Sequence, residues 1–294
     1  MPANSKEEAY QMLVGAFQGM LATSPNDNDR FTLYYDDKDS NPIDNCELAN
    51  NYYYRNFLTE LQQHGEQDLL LFLHEIEDKS PAIDYLYNEN EELFNELSTC
   101  SFYLPSRGLD GGMDSLGITW LLNASLLSLP TDPIWRNNEV LIEKLDRNFT
   151  KEALSIPNVS KKYHGLELRS ALLKSIEEPL NVLCPSCNFS DQFVEWIDSL
   201  DNTNRIKVRE KLRYAEHRNF SGGLPLFKTL KEADGIRELR MPAFPGGSIR
   251  ILFGALENHR QALLVGFIKK SDTEGYDKCI PIAKNLWNSL KSAI

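Results

Sequence analysis

Five residues near the end of the chain place positive charge and a phenol close together in sequence. Arg240, Arg250, Lys269, Lys270 and Tyr276 fall on predicted short strands or in the segment just after them. Cations stabilise the extra negative charge of a phosphorane-like transition state. These residue types therefore suit cleavage of RNA without a metal ion. Because a phosphate site needs several converging cations, the whole set carries more weight than any single member.

An ordinary exposed strand surface produces the same residue pattern and stays open as the alternative. Strand residues alternate between two faces, so Leu239 and Met241 are expected in a core while Glu238 and Arg240 point outwards. The same alternation directs Arg250 outwards between its two isoleucine neighbours.

The sign of the charge differs between the two parts of the chain. Residues 188–294 contain 17 Lys and Arg against 13 Asp and Glu, whereas residues 1–187 contain 14 against 30. This asymmetry is typical of a nucleic-acid-facing domain joined to an acidic one. An acidic protein with a mildly basic end explains the same counts.

The length of 294 residues predicts more than one domain, since single domains usually have roughly 100–200 residues. The segment 177–188, with two prolines, predicts the boundary, so we expect an acidic α+β domain at 1–180 and a second domain at 188–294.

The longest apolar run, 262–268, is far shorter than the roughly 20 residues of a membrane span. The start of the chain lacks a secretory pattern. We therefore expect a soluble, cytoplasmic protein with no membrane partner.

The cysteines and acidic residues offer weak signals for a metal. Five scattered cysteines fit a reducing compartment. Only Cys184 and Cys187 are close, and without a second such pair, structural packing is favoured over half of a zinc site. The acidic residues Asp110, Asp114, Glu139 and Glu143 suggest a hard-metal set, but such clusters arise by chance in an acidic region. We expect neither a metal nor a cofactor.

Apolar periodicity predicts mostly helices in the first domain. The segment 117–129 is apolar throughout, and a strand, a strand pair and a buried helix all fit it. The other predicted helices are 6–22, 53–64, 68–77 with an extension over 83–97, and 163–176, and the predicted strands are 31–35 and 140–145.

The pattern of the second domain predicts two helices, an antiparallel meander and a terminal helix. Ser190 is expected to cap the first helix and Thr203 the second. The predicted helices are 191–200, 204–217 and 277–290, and the predicted strands are 235–241, 248–255 and 262–268. This order describes a small α+β layer structure.

Residues 188–294 resemble the RelE/HigB superfamily of toxins, especially its phage-derived HigB-like branch. The resemblance rests on four motifs in order: the helix DQFVEWIDSL at 191–200, GIRELR at 235–240, SIRILF at 248–253 and GFIKK at 266–270. It implies a RelE-like domain that cleaves messenger RNA, often inside the ribosome, through attack of the 2′-hydroxyl on the adjacent phosphate. It also implies a helix-turn-helix antitoxin. The acidic domain, which the resemblance does not cover, is expected to restrain or target the toxin domain.

The resemblance assigns a role to each candidate residue. Arg250 takes the position that contacts the scissile phosphate, Arg240 supplies a second cation, and Lys270 matches a cation just beyond the last strand. Tyr276 matches a tyrosine used in proton transfer or base stacking. Lys269 and Arg237 are expected to bind RNA.

Three features depart from the family pattern. Glu238 stands where some active members carry a basic residue, so it either opposes a phosphate or serves as a base. The loop 242–247 is longer than in compact members, and the usual first strand is reduced to about 181–183.

Two rival hypotheses follow from these departures and from the acidic first domain. In one, the RelE-like fold has lost catalysis and its cationic face binds RNA, a protein or the ribosome. In the other, the chain is a phage-defence effector whose first domain is itself an enzyme or a sensor.

Overall fold

The computed structural model describes residues 3–23, 31–33, 43–78, 91–95, 97–109, 112–130, 132–231, 233–243, 246–269 and 275–292. The chain forms two compact units, one of Met1–Asp84 with Cys100–Ala171 and one of Tyr85–Thr99 with Leu172–Ile294. The second unit thus includes an early stretch, whose residues 91–95 and 97 are helical and are called α4. The functional domain limits 1–180 and 188–294 stay a prediction.

The first unit contains helices packed with a mixed sheet. Its helices are α1 (Lys6–Thr23), α2 (Tyr54–His64), α3 (Gln67–Asp78) and α5 (Asp114–Leu122). Its strands are β1 (Phe31–Leu33), β2 (Glu47–Ala49), β3 (Tyr52–Tyr53), β4 (Ser101–Tyr103), β5 (Ser125–Leu127), β6 (Glu139–Leu145) and β7 (Lys151–Val159). The sheet order is β1-β5-β7-β6-β4, and β2 pairs with β3.

The apolar faces of α1, α2 and α3 form the core of this unit together with β5 and β7. Its buried side chains include Leu13, Phe17, Met20, Phe57, Leu61, Leu69, Leu73, Leu127 and Val159. The ambiguous segment 117–129 contains the end of α5 and then β5, so it is a helix followed by a strand. Periodicity missed β7, because Pro157 and four polar or charged residues obscure its alternation.

The second unit is a five-stranded sheet with helices. After α6 (Lys162–Glu177), which begins in the first unit, its helices are α7 (Leu180–Leu183), α8 (Asp191–Ser199), α9 (Asn202–His217) and α10 (Tyr276–Ser292). Its strands are β8 (Cys187–Phe189), β9 (Phe227–Thr229), β10 (Arg237–Pro242), β11 (Ser248–Ala255) and β12 (Gln261–Lys269). The order is β8-β12-β11-β10-β9, and among the described strands of this unit only the β8–β12 pair is parallel.

The predicted elements of this unit agree with the structure except at its start. The Ser190 hydroxyl accepts a hydrogen bond from the Phe193 amide and caps α8 as expected. The cap of α9 is Asp201 and not Thr203, since the Asp201 carboxylate accepts from the amide of Asn204.

The expected first strand at 181–183 is also wrong, because these residues belong to the short helix α7 that follows Pro179. The strand at this edge is β8, which pairs with residues 261–263 of β12. The edge strand β9, which was not predicted, lies at the opposite side of the sheet.

Glycines on the two faces of the sheet allow two tryptophans to approach it closely. Gly266 of β12 lies under Trp196 of α8, and a Cβ there would come within 2.0 Å of the indole. Gly254 of β11 lies under Trp287 of α10, where a Cβ would come within 2.5 Å. Thus α8 packs on one face and α10 on the other.

The fold is mixed α/β with several sheets. None of the described helices combines the length and apolarity that crossing a bilayer requires.

We predict that Gly266→Ala destabilises the second unit, because its methyl group would overlap the Trp196 ring. Overpacking of this kind typically costs about 1–3 kcal/mol. Denaturant unfolding followed by tryptophan fluorescence measures the change. Gly223→Ala is the control, since no atom lies within 4 Å of its Cβ position. Equal stability of the two variants would contradict the packing described.

Candidate functional site at a cationic cluster

Two arginines lie directly opposite each other on neighbouring strands of the second unit. Arg240 of β10 pairs with Arg250 of β11, so both side chains extend from the α10 face of the sheet. Both are completely buried, and Glu238 is 1% exposed. The expectation that these three residues point outwards to solvent is wrong. Strand alternation correctly placed them on the opposite face from Leu239, but that face is buried at these three residues.

The Tyr276 phenol of α10 and the Glu238 carboxylate of β10 connect the two arginines. The Tyr276 hydroxyl donates to Glu238 Oε2 at 2.7 Å, and Arg250 Nε donates to the Tyr276 oxygen at 3.2 Å. Glu238 also lies 3.4 Å from Arg240 Nε and 3.8 Å from Arg250 Nε. Glu238 therefore holds the phenol and offsets both guanidinium charges.

A second carboxylate, that of Glu92 in α4, lies within ion-pair distance of four cationic side chains. Oε1 lies 2.8 Å from Arg240 NH2 and 3.0 Å from Lys228 Nζ. Oε2 lies 3.3 Å from Lys269 Nζ and 3.4 Å from Arg250 NH2. We call Lys228, Arg240, Arg250 and Lys269 the cationic cluster. Its members come from β9, β10, β11 and β12, one from each of four adjacent strands.

The environment shifts the pKa values of the two central titratable groups in opposite directions. Burial by itself would raise the pKa of Glu92, but Arg240, Lys228 and Lys269 outweigh it and lower this pKa from 4.5 to about 2. Burial, followed by the charge of Glu238, raises the pKa of the Tyr276 phenol. At neutral pH, Glu92 is thus an anion and Tyr276 carries its proton.

The other predicted site residues divide between the cluster and the rest of the unit. Lys269 belongs to the cluster, and its ammonium also lies 5.7 Å from the centre of the Tyr276 ring. Arg237 lies on the opposite face of β10 from Arg240. It donates to the Phe220 and Gly222 carbonyls at 2.6 and 2.7 Å, so the structure does not bring it into the cluster. Lys270 lies outside the described residues.

Sequence reasoning missed Glu92 and Lys228. Glu92 stands in an acidic stretch 136 residues before Lys228, and no local pattern links it to the later strands. Lys228 lies on β9, a strand of three residues that is too short for a periodic signal.

A separate group of side chains has the chemistry of a metal site. The ligand atoms of Cys184, Cys187 and Glu216 lie within 4.8 Å of one another. Hydrogen bonds also account for this arrangement. Ser186 donates its amide and its hydroxyl to Glu216, Cys187 lies 3.7 Å from the same carboxylate, and the Cys184 thiol donates to a backbone carbonyl. Structural packing, the role expected for the cysteine pair, therefore explains these contacts.

Comparison with known families found a match for part of the second unit. Residues 195–288 match the model of the family described as phage derived protein Gp49-like. This is a RelE/HigB-like toxin family, and its toxins typically pair with an antitoxin. The match contains the cationic cluster, Glu238 and Tyr276, but it does not contain Glu92. Comparison with curated proteins found no match.

We predict that Glu92→Gln removes part of the acid sensitivity of the fold. A carboxylate with a lowered pKa contributes stability above its ordinary pKa of 4.5, and this contribution disappears as the pH falls towards about 2. Between these values, unfolding in urea should show a steeper pH dependence for the wild type than for Glu92→Gln. The charged groups facing Glu92 in the cluster, and Glu238, are present in both proteins. Exposed Glu91 gives the matched control, Glu91→Gln. Parallel curves for all three proteins would contradict the proposed ion pairing.

Proposed function

We propose that the second unit is a toxin-type endoribonuclease of the RelE kind, closest to its HigB-like branch, whose cationic cluster binds the scissile phosphate of RNA. The observation that carries this proposal is the convergence of four cations, from four adjacent strands, on one carboxylate. A carboxylate and a phosphate are both recognised by arginine through paired hydrogen bonds. The position of the Glu92 carboxylate is therefore a suitable position for a phosphate.

The proposed reaction needs no metal ion. The 2′-oxygen forms a bond to phosphorus, the bond from phosphorus to the 5′-oxygen breaks, and one proton moves from the 2′-hydroxyl to the leaving oxygen. The cluster stabilises the additional negative charge of the transition state. Tyr276 is the proposed proton relay, because its raised pKa keeps the phenol protonated and Glu238 fixes its orientation at 2.7 Å.

The remaining assignments extend the family resemblance. Arg250 and Arg240 are the proposed phosphate ligands, with Lys269 beside them, and Lys270 keeps its predicted role as a further cation. RNA binding by Arg237 stays a prediction from sequence. The proposed substrate is messenger RNA, on the ribosome or free, and the proposed protein partner is a helix-turn-helix antitoxin.

We predict that Tyr276→Phe lowers RNA cleavage by about 10²–10⁴-fold, the usual contribution of a positioned proton-transfer group. RNA binding should change little, because the phenyl ring and the cluster remain. Cleavage is measured on purified protein with free RNA and with translating ribosomes, in the presence of a chelator. The control is Lys278→Ala on the exposed surface of α10. Undiminished cleavage by Tyr276→Phe would contradict the relay.

A second candidate function is RNA or protein binding without catalysis. One observation argues against catalysis at this site: Arg240 and Arg250 have zero exposure, so a reacting phosphate cannot contact them while Glu92 is in place. The cleavage assay separates the two functions, because a binding protein would retain intact RNA under every condition tested. If all activity required a metal, both functions would give way to a metal-dependent enzyme.

A further inference from the structure

We propose that Glu92 is a built-in occupant of the phosphate site, which keeps RNA out until α4 is displaced. This inference rests on the proposed function, since it explains how the same site is regulated. It assigns to part of the polypeptide the position that the scissile phosphate takes in the active state.

The geometry of the carboxylate supports this assignment. Each oxygen of Glu92 has two cationic partners, at distances from 2.8 to 3.4 Å. A phosphate at this position would need the same donors. Since Arg240 and Arg250 have no exposed surface, an incoming anion cannot reach them while Glu92 remains. Occupancy by Glu92 and by a phosphate are therefore mutually exclusive.

The origin of Glu92 distinguishes it from the other members of the site. The cationic cluster, Glu238 and Tyr276 all lie in the residues that match the toxin family. Glu92 lies in the stretch 85–99, and the chain on both sides of this stretch belongs to the first unit. The occupant is thus an addition to the toxin fold, supplied by the part of the chain whose role the sequence left open.

The side chains around Glu92 explain how α4 is held. Leu93 is 0% exposed and Leu97 is 7% exposed, whereas Glu91 and Asn95 are exposed. The described part of α4 therefore docks through a short apolar face and through one carboxylate. Displacement of this part of α4 requires that the apolar packing of Leu93 and Leu97 and the ion pairs of Glu92 be broken.

A permanent structural ion pair is the competing explanation. Buried arginines need carboxylates, and removal of one partner destabilises a fold whether or not the site has a function. The two explanations differ in one respect. A removable occupant competes with free anions and with RNA for the cluster, whereas a structural ion pair does not.

The test compares the full-length wild type, Glu92→Gln and Glu91→Gln. Inorganic phosphate should raise the melting temperature of Glu92→Gln but not that of the wild type or of Glu91→Gln. An RNA oligonucleotide with a 2′-O-methyl group, which prevents cleavage, should bind Glu92→Gln about tenfold or more tightly than the wild type. This is the affinity change expected when the open site is a minor state in the wild type.

Two further measurements remain informative if Glu92→Gln folds poorly. Leu93→Ala leaves every charge in place and weakens the docking of α4, so it should show the same gain in RNA affinity. In the wild type, hydrogen exchange of residues 91–99 should increase when saturating methylated RNA binds.

The outcomes separate the inference from the proposed function. Phosphate stabilisation that is specific to Glu92→Gln, combined with absence of RNA cleavage by Glu92→Gln, would support the occupant and reject the nuclease. RNA cleavage by the wild type, with equal phosphate and RNA binding by wild type and Glu92→Gln, would support the nuclease and overturn the occupant. Unchanged exchange of residues 91–99 in the RNA complex would also overturn it.

Discussion

Two buried arginines that lie opposite each other on neighbouring strands are the constraint that organises the second unit. Like charges on directly opposed strand residues repel, and burial of both side chains reduces the screening of this repulsion by solvent. The fold tolerates the pair because two carboxylates approach it. Glu238 comes from the sheet itself and binds both arginines and Tyr276. Glu92 comes from α4 and binds the outer ends of the same guanidinium groups.

The two carboxylates differ in how readily they can move away from the arginines. Glu238 is part of β10, only two residues from Arg240, and it cannot leave without breaking the strand. Glu92 reaches the cluster from a short helical segment that is distant in sequence. An RNA phosphate carries the same sign of charge and, in the proposed function, binds the same donors. In the proposed function, either the Glu92 carboxylate or a substrate phosphate can therefore neutralise the arginines. Exchange between these two anions couples the stability of the fold to the proposed activity.

The family relationship and the structure describe different parts of this arrangement. Residues 195–288 match a family of RelE/HigB-like toxins, and they contain strands β9 to β12 with their four cations. The element that covers those cations is outside the match. In this chain, Glu92 of α4 contacts all four cations of the cluster, and Arg240 and Arg250 have no exposed surface.

The sequence by itself determined most helices, the three long strands of the second unit and the residue types of its site, because these depend on local periodicity and short loops. Short strands, the cap of α9 and the start of the second unit were missed or wrong, since few residues encode them. Only the tertiary structure decided that Arg240, Arg250 and Lys269 meet, that Arg237 does not join them, and that Glu92 occupies their centre. The physical reason is sequence distance: the contact of Glu92 with Lys228 spans 136 residues, and a local pattern carries no information about such a pairing.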